Sequence, residues 1–186
     1  MENKETKKET FAEGAWDFLK SLMISMAAVF ILSNFVIRPI EVEGDSMYPT
    51  LHSGSIGLAN IIGRKMDGIR RFDIAIIYIK ESNKYLVKRV VGLPNETVSC
   101  HDGVLYINEE PVDEPFLSPD YKAQFSDVFT AEIEPVTLGP DEYYCLGDNR
   151  PSSRDSRYYG PFRESQIAAK GALILYPFDQ FGVRSW

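Results

Sequence analysis

Residues 85–95 decide the class of fold, and they read Tyr85-Leu86-Val87-Lys88-Arg89-Val90-Val91-Gly92-Leu93-Pro94-Asn95. The β-branched and other apolar side chains make the first seven residues a strand, and Gly-Leu-Pro-Asn is typical of the turn that ends one. Because adjacent strand residues face opposite sides, we expect one of Lys88 and Arg89 to point inward. An inward lysine is costly while it is charged, and burial lowers its pKa, as a lysine general base requires. The alternative is an ordinary strand with a polar edge.

Short runs of the same kind lie on both sides of this strand, at residues 40–43, 74–79, 97–100, 104–107, 143–146 and 172–176. Asp102-Gly103 separates two of these runs and predicts a hairpin. Long amphipathic helix patterns are hard to find after residue 40. We therefore predict a mostly β domain with antiparallel sheet over residues 39–186. Residues 108–141 are less regular and predict an excursion from the main sheet.

The N-terminal region is different, because no residue from 21 to 37 is charged. This run of 17 residues is at the short end of the range that spans a bilayer, about 17–25 residues. We predict one transmembrane helix over residues 20–38 after a tail at residues 1–19. A buried helix of a soluble protein is one alternative. A cleaved signal peptide is another, although bulky residues stand before Arg38 where a small-x-small cleavage site would be needed.

Basic residues flank the predicted helix unevenly. Lys4, Lys7, Lys8 and Lys20 precede it, whereas only Arg38 follows it closely. The positive-inside rule therefore predicts a cytoplasmic N-terminus and an extracytoplasmic domain from about residue 39 onward. The protein is then expected in the cell membrane as a single-pass chain in contact with membrane lipid.

Composition and charge limit the function classes. The chain has 186 residues, of which 44% are hydrophobic and 25% charged, which fits one globular domain plus an anchor. A formal net charge of -7 argues against a nucleic-acid partner, because the phosphate backbone requires a basic surface. With two cysteines, Cys100 and Cys145, a disulfide-dense scaffold is excluded. We favour two buried apolar cysteines over a single disulfide, which spacing alone leaves open.

Two further clusters carry candidate chemistry. Residues 44–51 read Gly-Asp-Ser-Met-Tyr-Pro-Thr-Leu and directly follow a predicted strand, which places Ser46 in a glycine-containing turn. Residues 147–160 read GDNRPSSRDSRYYG and concentrate Asp, Asn, Arg and Ser side chains that hydrogen-bond and pair charges. Taken separately, the first is explained by an ordinary turn and the second by a solvated loop.

Taken together, these motifs resemble the bacterial type I signal peptidase family. The resemblance rests on GDSMYPTL at 44–51, RRFDIAIIY at 70–78, KRVVGLPNE at 88–96 and GDNRPSSRDSRYYG at 147–160, in that order after one N-terminal anchor. It covers nearly the whole chain and is weakest at residues 113–140. The single-span form is similar to that of Gram-positive bacteria.

The resemblance implies a serine protease that removes signal peptides from exported preproteins by a Ser/Lys dyad, without a metal or other cofactor. Ser46 is then the nucleophile and Lys88 its base, with Ser153 at the position that orients the lysine amine. The same resemblance implies that Asp148, Asp155, Arg150 and Arg157 brace the site. It implies that the Ser46 backbone N–H contributes to the oxyanion hole.

The resemblance also implies how substrates are selected. The end of a signal peptide would add as a strand, with shallow apolar pockets for small residues at the first and third positions before the cut. Our candidates for those pockets are the apolar residues that flank the dyad, namely Ile40, Val42, Leu86 and Val87. Exported preproteins with small residues before the cleavage site are the expected partners, and secretion machinery is a further one.

Two departures from the family pattern stand out. One branch of the family has a serine two residues before the nucleophile as a second oxyanion donor, and this chain has Gly44 there. The lysine motif ends Leu93-Pro94-Asn95-Glu96 where the family usually has Pro-Gly-Asp or Pro-Gly-Glu. Because Asn tolerates the left-handed backbone conformation, we expect no loss from the second change.

Other classes of protein fit less well. A Ser/His/Asp protease has only His52 and His101 to draw on, and His52 is six residues from Ser46. A metal site would rest on Cys100-His101-Asp102 alone. A non-catalytic paralogue that binds signal peptides or escorts a peptidase would be expected to lack the dyad. A self-cleaving Ser/Lys repressor would carry a DNA-binding helix pair.

Overall fold

The computed structural model describes residues 11–125 and 128–184. The chain divides after Val36 into two compact units, an N-terminal helical unit and a β domain that begins at Ile37. Of the tail predicted at residues 1–19, residues 1–10, with Lys4, Lys7 and Lys8, lie outside the described residues.

The N-terminal unit is a helix. It consists of α1 (Phe11–Ile31) and a π-helical continuation (Leu32–Val36), and its window Glu13–Val36 has the length and the mean hydropathy, 1.8, of a membrane span. Polar side chains inside this window bond to the helix's own carbonyls. Ser33 Oγ donates to Val29 O at 2.8 Å, and Asn34 Nδ2 donates to Phe30 O at 2.8 Å. Their polar groups are therefore satisfied without water.

The helix bounds differ from the predicted anchor at residues 20–38. The helix begins by Phe11, and Ile37 and Arg38 already belong to the first strand. Proline disfavours helical geometry in the residue before it, so Pro39 moves the helix end back from Arg38.

The β domain consists of twelve strands and three short helices in its described residues: β1 (Ile37–Glu41), β2 (Ile56–Asn60), α2 (Ile61–Asp67), β3 (Ile74–Ile79), β4 (Lys84–Gly92), β5 (Thr97–His101), β6 (Val104–Ile107), β7 (Glu110–Pro111), α3 (Pro119–Lys122), β8 (Ile133–Thr137), β9 (Glu142–Leu146), α4 (Ser156–Tyr159), β10 (Phe162–Arg163), β11 (Ile167–Tyr176) and β12 (Gly182–Arg184). Single turns of 3₁₀ helix lie at Arg150–Ser152, Glu164–Gln166 and Phe178–Gln180.

The strands form two sheets, and every pair is antiparallel. The larger sheet has the order β1-β2-β11-β3-β4-β9-β10, with β12 beside β11, and the smaller has the order β7-β6-β5-β8. This confirms the predicted mostly antiparallel β fold behind one apolar helix. The hairpin at Asp102-Gly103 is confirmed as well, because both residues adopt the positive φ that a tight hairpin turn needs, 51° and 77°.

Strand β3 is central to the larger sheet. It lies between β11 and β4, and all its residues except the half-buried Tyr78 are buried. Strand β1, in contrast, is an edge strand that pairs only with β2, so the missing N–H of Pro39 is tolerated there. The first half of β4 pairs only with β3, which leaves a second free strand edge.

The predicted excursion at residues 108–141 is only partly irregular. It includes β7 and α3, and its last part returns to the smaller sheet as β8 beside β5. In the segment between β7 and β8, a cluster of aromatic and aliphatic side chains packs together: Phe116, Leu117, Tyr121, Phe125 and Phe129. The cysteines are buried, unpaired and in different core clusters, Cys100 under the smaller sheet and Cys145 under the larger.

Candidate active site

Ser46 lies in the turn after β1. The turn begins at Gly44, whose φ of 79° favours glycine, and Tyr48 N donates to Asp45 O at 3.1 Å within it. Met47 within the turn and Leu51 just after it are both buried in the core. The apolar residues of the GDSMYPTL motif therefore anchor the turn, while Ser46 stays partly accessible.

The 147–160 loop holds the same turn from the other side. Asn149 N donates to Ser46 O at 3.1 Å, and Asn149 Nδ2 donates to Asp45 O at 3.1 Å. Tyr121 of the aromatic cluster donates its hydroxyl to Tyr48 O at 3.3 Å. The contributions of Asn149 and Tyr121 were not predicted from the sequence.

Lys88 meets Ser46 across the site. Its Nζ lies 2.6 Å from Ser46 Oγ and 3.0 Å from Val87 O, and its side chain is only 3% exposed. Both partners are uncharged. Burial lowers the pKa of Lys88 from 10.5 to about 8, although the Asp155 and Asp148 carboxylates act to raise it. With the pKa at about 8, roughly a tenth of the amine is neutral at pH 7, against fewer than about one in a thousand at the ordinary value of 10.5.

Arg89, the next residue, is also buried, so both cations point inward where the sequence predicted that one of them would. Its guanidinium forms two hydrogen bonds to the Asp148 carboxylate, at 2.8 and 2.6 Å, and one to Phe72 O at 2.9 Å. It also lies 3.9 Å from the Phe116 ring centroid. Both faces of β4 are covered at this point, so both cations are buried, and only Arg89 has a carboxylate partner.

Asp155 and Arg157 brace the 147–160 loop. The Asp155 carboxylate accepts hydrogen bonds from Gly147 N at 3.0 Å and from Arg157 Nε at 2.9 Å. Burial alone would raise the pKa of the Asp155 carboxyl, but the Arg157 guanidinium and the Gly147 N–H outweigh it and hold that pKa below its ordinary value. The carboxylate therefore stays ionised and fixes the loop behind Lys88.

Arg150 joins this loop to the excursion. Its Nε donates to Gly147 O at 3.0 Å, and its Nη1 donates to Thr130 Oγ1 at 3.0 Å. The rest of the guanidinium pairs with Glu114, which is itself buried. Glu114 lies in the stretch where no motif was visible, so the sequence carried no signal for this ion pair.

Ser153 lies close to the nucleophile turn but does not hydrogen-bond to Lys88. By distance and angle, its buried Oγ makes no hydrogen bond among residues 11–125 and 128–184, although its hydroxyl lies close enough to the Asp155 carboxylate to help lower the pKa of that carboxyl. Ser153 packs against Gly147. If residue 147 had a side chain, its Cβ would lie 2.2 Å from Ser153 Oγ and 2.4 Å from Ser46 O, which is too close. Glycine is thus required at 147 for Ser46 and Ser153 to approach this closely.

An open groove with a volume of about 570 Å³ leads away from the dyad, between β1 and the first half of β4. The four residues predicted for substrate pockets, Ile40, Val42, Leu86 and Val87, all line it. Val42 is 3% exposed and therefore contributes to the floor. The lining also includes residues that sequence reasoning missed, among them Arg38, Met47, Ile76, Tyr85, Arg154 and Tyr159.

No metal centre accompanies this site in the part of the chain that the structure describes. No three His, Cys, Asp or Glu side chains converge there as metal ligands would.

Comparison with known proteins agrees with this geometry. The family model described as signal peptidase, peptidase S26, matches residues 15–176. The chain is 35% identical over 179 residues to signal peptidase I S of Bacillus subtilis (strain 168), covering 94% of each chain. It is 31% identical over 175 residues to signal peptidase IB of Staphylococcus aureus (strain Mu50 / ATCC 700699), covering 89% of this chain and 91% of that one.

Among solved structures, a crystal structure of a signal peptidase I from Enterococcus faecalis V583 is similar, with a TM-score of 0.51 and 31% identity. The match covers 55% of this chain and 95% of that one. With a family match from the membrane-span helix to the end of β11 and relatives similar over nearly their whole length, this chain belongs to the signal peptidase family, peptidase S26.

Proposed function

We propose that this protein is a membrane-bound serine endopeptidase that removes signal peptides from exported preproteins with a Ser46/Lys88 dyad. The observation that carries the proposal is the 2.6 Å contact between Lys88 Nζ and Ser46 Oγ, made by a buried lysine without a carboxylate partner. Family membership supports the substrate class. The contact and the lowered pKa of Lys88 support the mechanism.

In the first half of the reaction, neutral Lys88 takes the hydroxyl proton as Ser46 Oγ attacks the carbonyl carbon of the scissile bond. The tetrahedral intermediate then collapses. The protonated Lys88 gives its proton to the leaving amine, which becomes the N-terminus of the mature protein. The signal peptide remains bound to Ser46 as an ester.

In the second half, Lys88 takes a proton from a water molecule, which attacks the ester carbonyl. Ser46 Oγ leaves and regains the proton from Lys88, and the signal peptide departs with a free carboxylate. The same amine acts as base and acid in both halves, so its pKa must lie near the working pH.

The intermediate carries a negative oxygen that needs hydrogen-bond donors. The Ser46 N–H is our candidate, since no acceptor for it is found among the described residues. The Gly44 N–H is not free for this role, because it donates to Ser53 Oγ at 3.0 Å.

The groove suits an extended peptide. Val42 exchanges main-chain hydrogen bonds with Gly54 and Ser55, so by strand alternation the main-chain groups of Glu41 and Glu43 face the open edge. On β4, Val90 bonds towards β3 in the same way, so Tyr85 and Val87 face the groove with theirs. A substrate strand would therefore meet outward-facing main-chain groups on both sides, of which Val87 O also accepts from Lys88 Nζ at 3.0 Å.

The apolar lining between these edges supports selection of small residues before the cut. Ile40 and Val87 are half-buried and pack at the margin of the core cluster that contains Val42. Together with Leu86 they leave shallow apolar depressions, in which small side chains fit at the first and third positions before the cleaved bond.

The membrane arrangement is also part of the proposal. The helix at Glu13–Val36 serves as the single anchor, with the β domain outside the cytoplasm. Protease added to cells with a permeable wall should digest the β domain and spare the N-terminal tail, whereas full protection of the domain would refute this orientation. Contact with membrane lipid follows from the anchor, and contact with secretion machinery stays a prediction.

The alternative function is a non-catalytic paralogue that holds signal peptides or escorts an active peptidase. A binding protein needs the groove but has no need of a buried, unpaired lysine against a serine, since an unpaired buried charge is destabilising. The Ser46–Lys88 contact therefore favours an enzyme.

The deciding experiment is cleavage of a model preprotein by purified full-length protein. The wild type should release the signal peptide, and Ser46→Ala should reduce cleavage to background with an unchanged thermal unfolding curve. Substantial activity in a well-folded Ser46→Ala protein would contradict the assignment of Ser46 as the nucleophile. Preprotein binding without cleavage by the wild type would support the paralogue.

A further inference from the structure

Two contacts cross the groove, and the second has no part in the chemistry above. Beside the nucleophile, Lys88 of β4 meets Ser46. Farther along, Arg38 of β1 donates from Nη1 to the Tyr85 hydroxyl of β4 at 2.5 Å. The guanidinium carbon also lies 5.4 Å from the centroid of the Tyr85 ring. These two side chains, the Arg38–Tyr85 bridge, connect the two free strand edges.

The bridge is supported on its β4 side. The Tyr85 ring lies 5.0 Å from the Tyr78 ring, measured between centroids, and Tyr78 in turn donates its hydroxyl to Asn83 Oδ1 at 2.9 Å. Tyr85 itself is 48% exposed. The bridge therefore lies at an open, solvent-facing end of the groove on a supported ring, where an incoming peptide can reach it.

Strand geometry determines which substrate residue meets the bridge. Tyr85 precedes Lys88 by three residues on β4, which is roughly 10 Å along an extended chain. The candidate pockets for the first and third residues before the cut lie between the dyad and the bridge. A peptide that runs away from the dyad along the groove therefore brings its fourth or fifth residue before the cut to Arg38 and Tyr85.

This end of the groove is cationic. Arg38 and Lys84 both line it, whereas the two glutamates of the lining, Glu41 and Glu43, lie closer to Ser46 along the chain. A guanidinium has five N–H donors and no acceptor, so the bond to Tyr85 leaves donors for a second partner. Such a surface attracts carboxylates and other hydrogen-bond acceptors and repels an ammonium or a second guanidinium.

We propose that the Arg38–Tyr85 bridge is a specificity determinant, which receives the fourth or fifth substrate residue before the cleaved bond, favours an acidic residue there and disfavours a basic one. The inference rests on the proposed function, because it needs the groove to hold the signal-peptide end. Arg38 acts through the bound peptide and takes no part in bond breaking.

The test uses a parent preprotein with alanine at the second, fourth and fifth positions before the cut, and variants with aspartate or lysine at each one. The wild type should cleave the aspartate form in preference to the lysine form at position four or five. The expected ratio of kcat/KM is roughly two- to fivefold, as for an exposed charge pair, and it should appear in KM rather than kcat. Arg38→Glu should reverse the preference at that position only.

Lys80→Glu is the matched control, since it makes the same charge change at an exposed residue that does not line the groove. It should keep the wild-type preference. Tyr85→Phe retains the ring but removes the acceptor that holds Arg38, and it should bring the ratio closer to one.

Three results would overturn the inference: equal cleavage of aspartate and lysine forms by the wild type, a preference that Arg38→Glu leaves unchanged, or a preference that Lys80→Glu alters equally. Cleavage of the alanine parent separates these outcomes from failure of the proposed function. If the wild type does not cut the parent, the proposed function fails. If it cuts the parent without the charge preference, only the bridge proposal fails.

Discussion

Lys88 and Arg89 are adjacent basic residues on opposite faces of β4, and they differ in whether a carboxylate balances their charge. Arg89 is fully buried against the Asp148 carboxylate, with further bonds to Phe72 O and a contact with the Phe116 ring. Lys88 is buried nearly as deeply, but within the described part of the chain its amine hydrogen-bonds only to a hydroxyl and a carbonyl. The charge on Arg89 is neutralised by a partner, whereas burial of Lys88 lowers its pKa to about 8 and so favours release of its proton. Burial thus stabilises an ion pair on one face and, in the proposed mechanism, prepares a base on the other.

The largest expected effect comes from replacing Lys88 with arginine, the residue type of its neighbour Arg89. Lys88→Arg retains a cation but cannot release its proton in the working range, so preprotein cleavage should fall by roughly 10³-fold or more. The wild-type rate should rise with pH through about 8, the lowered pKa of Lys88, because only the neutral amine accepts the serine proton. The measurement is the pH–rate profile of both proteins. Near-normal activity in the arginine variant, or a wild-type rate independent of pH from about 5 to 10, would show that Lys88 is not the base.

The second-largest expected effect is a loss of stability on breaking the Arg89–Asp148 ion pair. Arg89→Met leaves the buried Asp148 carboxylate without its cation, so the free energy of unfolding should fall by about 3–5 kcal/mol. Chemical denaturation measures it. The double variant Arg89→Met with Asp148→Leu removes both charges and should recover much of the loss. A double variant as unstable as Arg89→Met alone would argue against charge burial as the cause.

Methionine in place of Lys88, on the other face of β4, should raise the free energy of unfolding instead of lowering it. Lys88→Met removes a group whose pKa falls from 10.5 to about 8 on folding, which corresponds to about 3 kcal/mol. Between these two values the unfolded chain binds more protons than the folded one, so wild-type stability rises with pH across that window. Lys88→Met should therefore be more stable than wild type at pH 7, and the difference should disappear above about pH 10.5. A constant difference from pH 7 to 11 would contradict this.

The smallest expected effect concerns Ser153. Its Oγ contacts the glycine against which Ser46 packs but does not hydrogen-bond to Lys88, so it positions the site and takes no part in proton transfer. Ser153→Ala should lower kcat by about ten- to hundredfold, which is less than the loss in Lys88→Arg, and should retain the pH–rate profile of the wild type. A loss as large as that of Lys88→Arg, or a displaced profile, would place Ser153 in the reaction itself.

Local signals were sufficient for the fold class. Alternation and β-branched runs predicted seven of the twelve strands in the described residues, and they missed β2, β7, β8, β10 and β12. Asp102-Gly103 predicted its hairpin, and the uncharged run predicted the helix. The excursion was predicted less well, because β8 pairs with β5, about 35 residues earlier in the chain, and long-range pairing leaves little trace in local pattern. The four motifs also identified Ser46 and Lys88 as candidates, and the structure brings them into contact.

Other parts of the site could not be predicted. Glu114 lies in a segment without a motif, yet it is the buried partner of Arg150. Tyr85 looked like an ordinary strand residue, and Arg38 like the end of the membrane anchor, until β1 and β4 were placed on opposite sides of one groove. In each case the partner is distant in sequence, so neither residue carries a local sign of its contact.

The sequence by itself determined the β class and the positions of seven of the twelve described strands, where the apolar helix lies and which serine and lysine are candidates for chemistry. These follow from side-chain period, turn residues and motif order, all of which are local properties. Only the tertiary structure decided that Lys88 is the cation without a carboxylate and Arg89 the one with it. Their partners, Ser46 and Asp148, lie 42 and 59 residues away along the chain. A pKa depends on burial and neighbouring charge, and both are established only when the sheet and its loops come together.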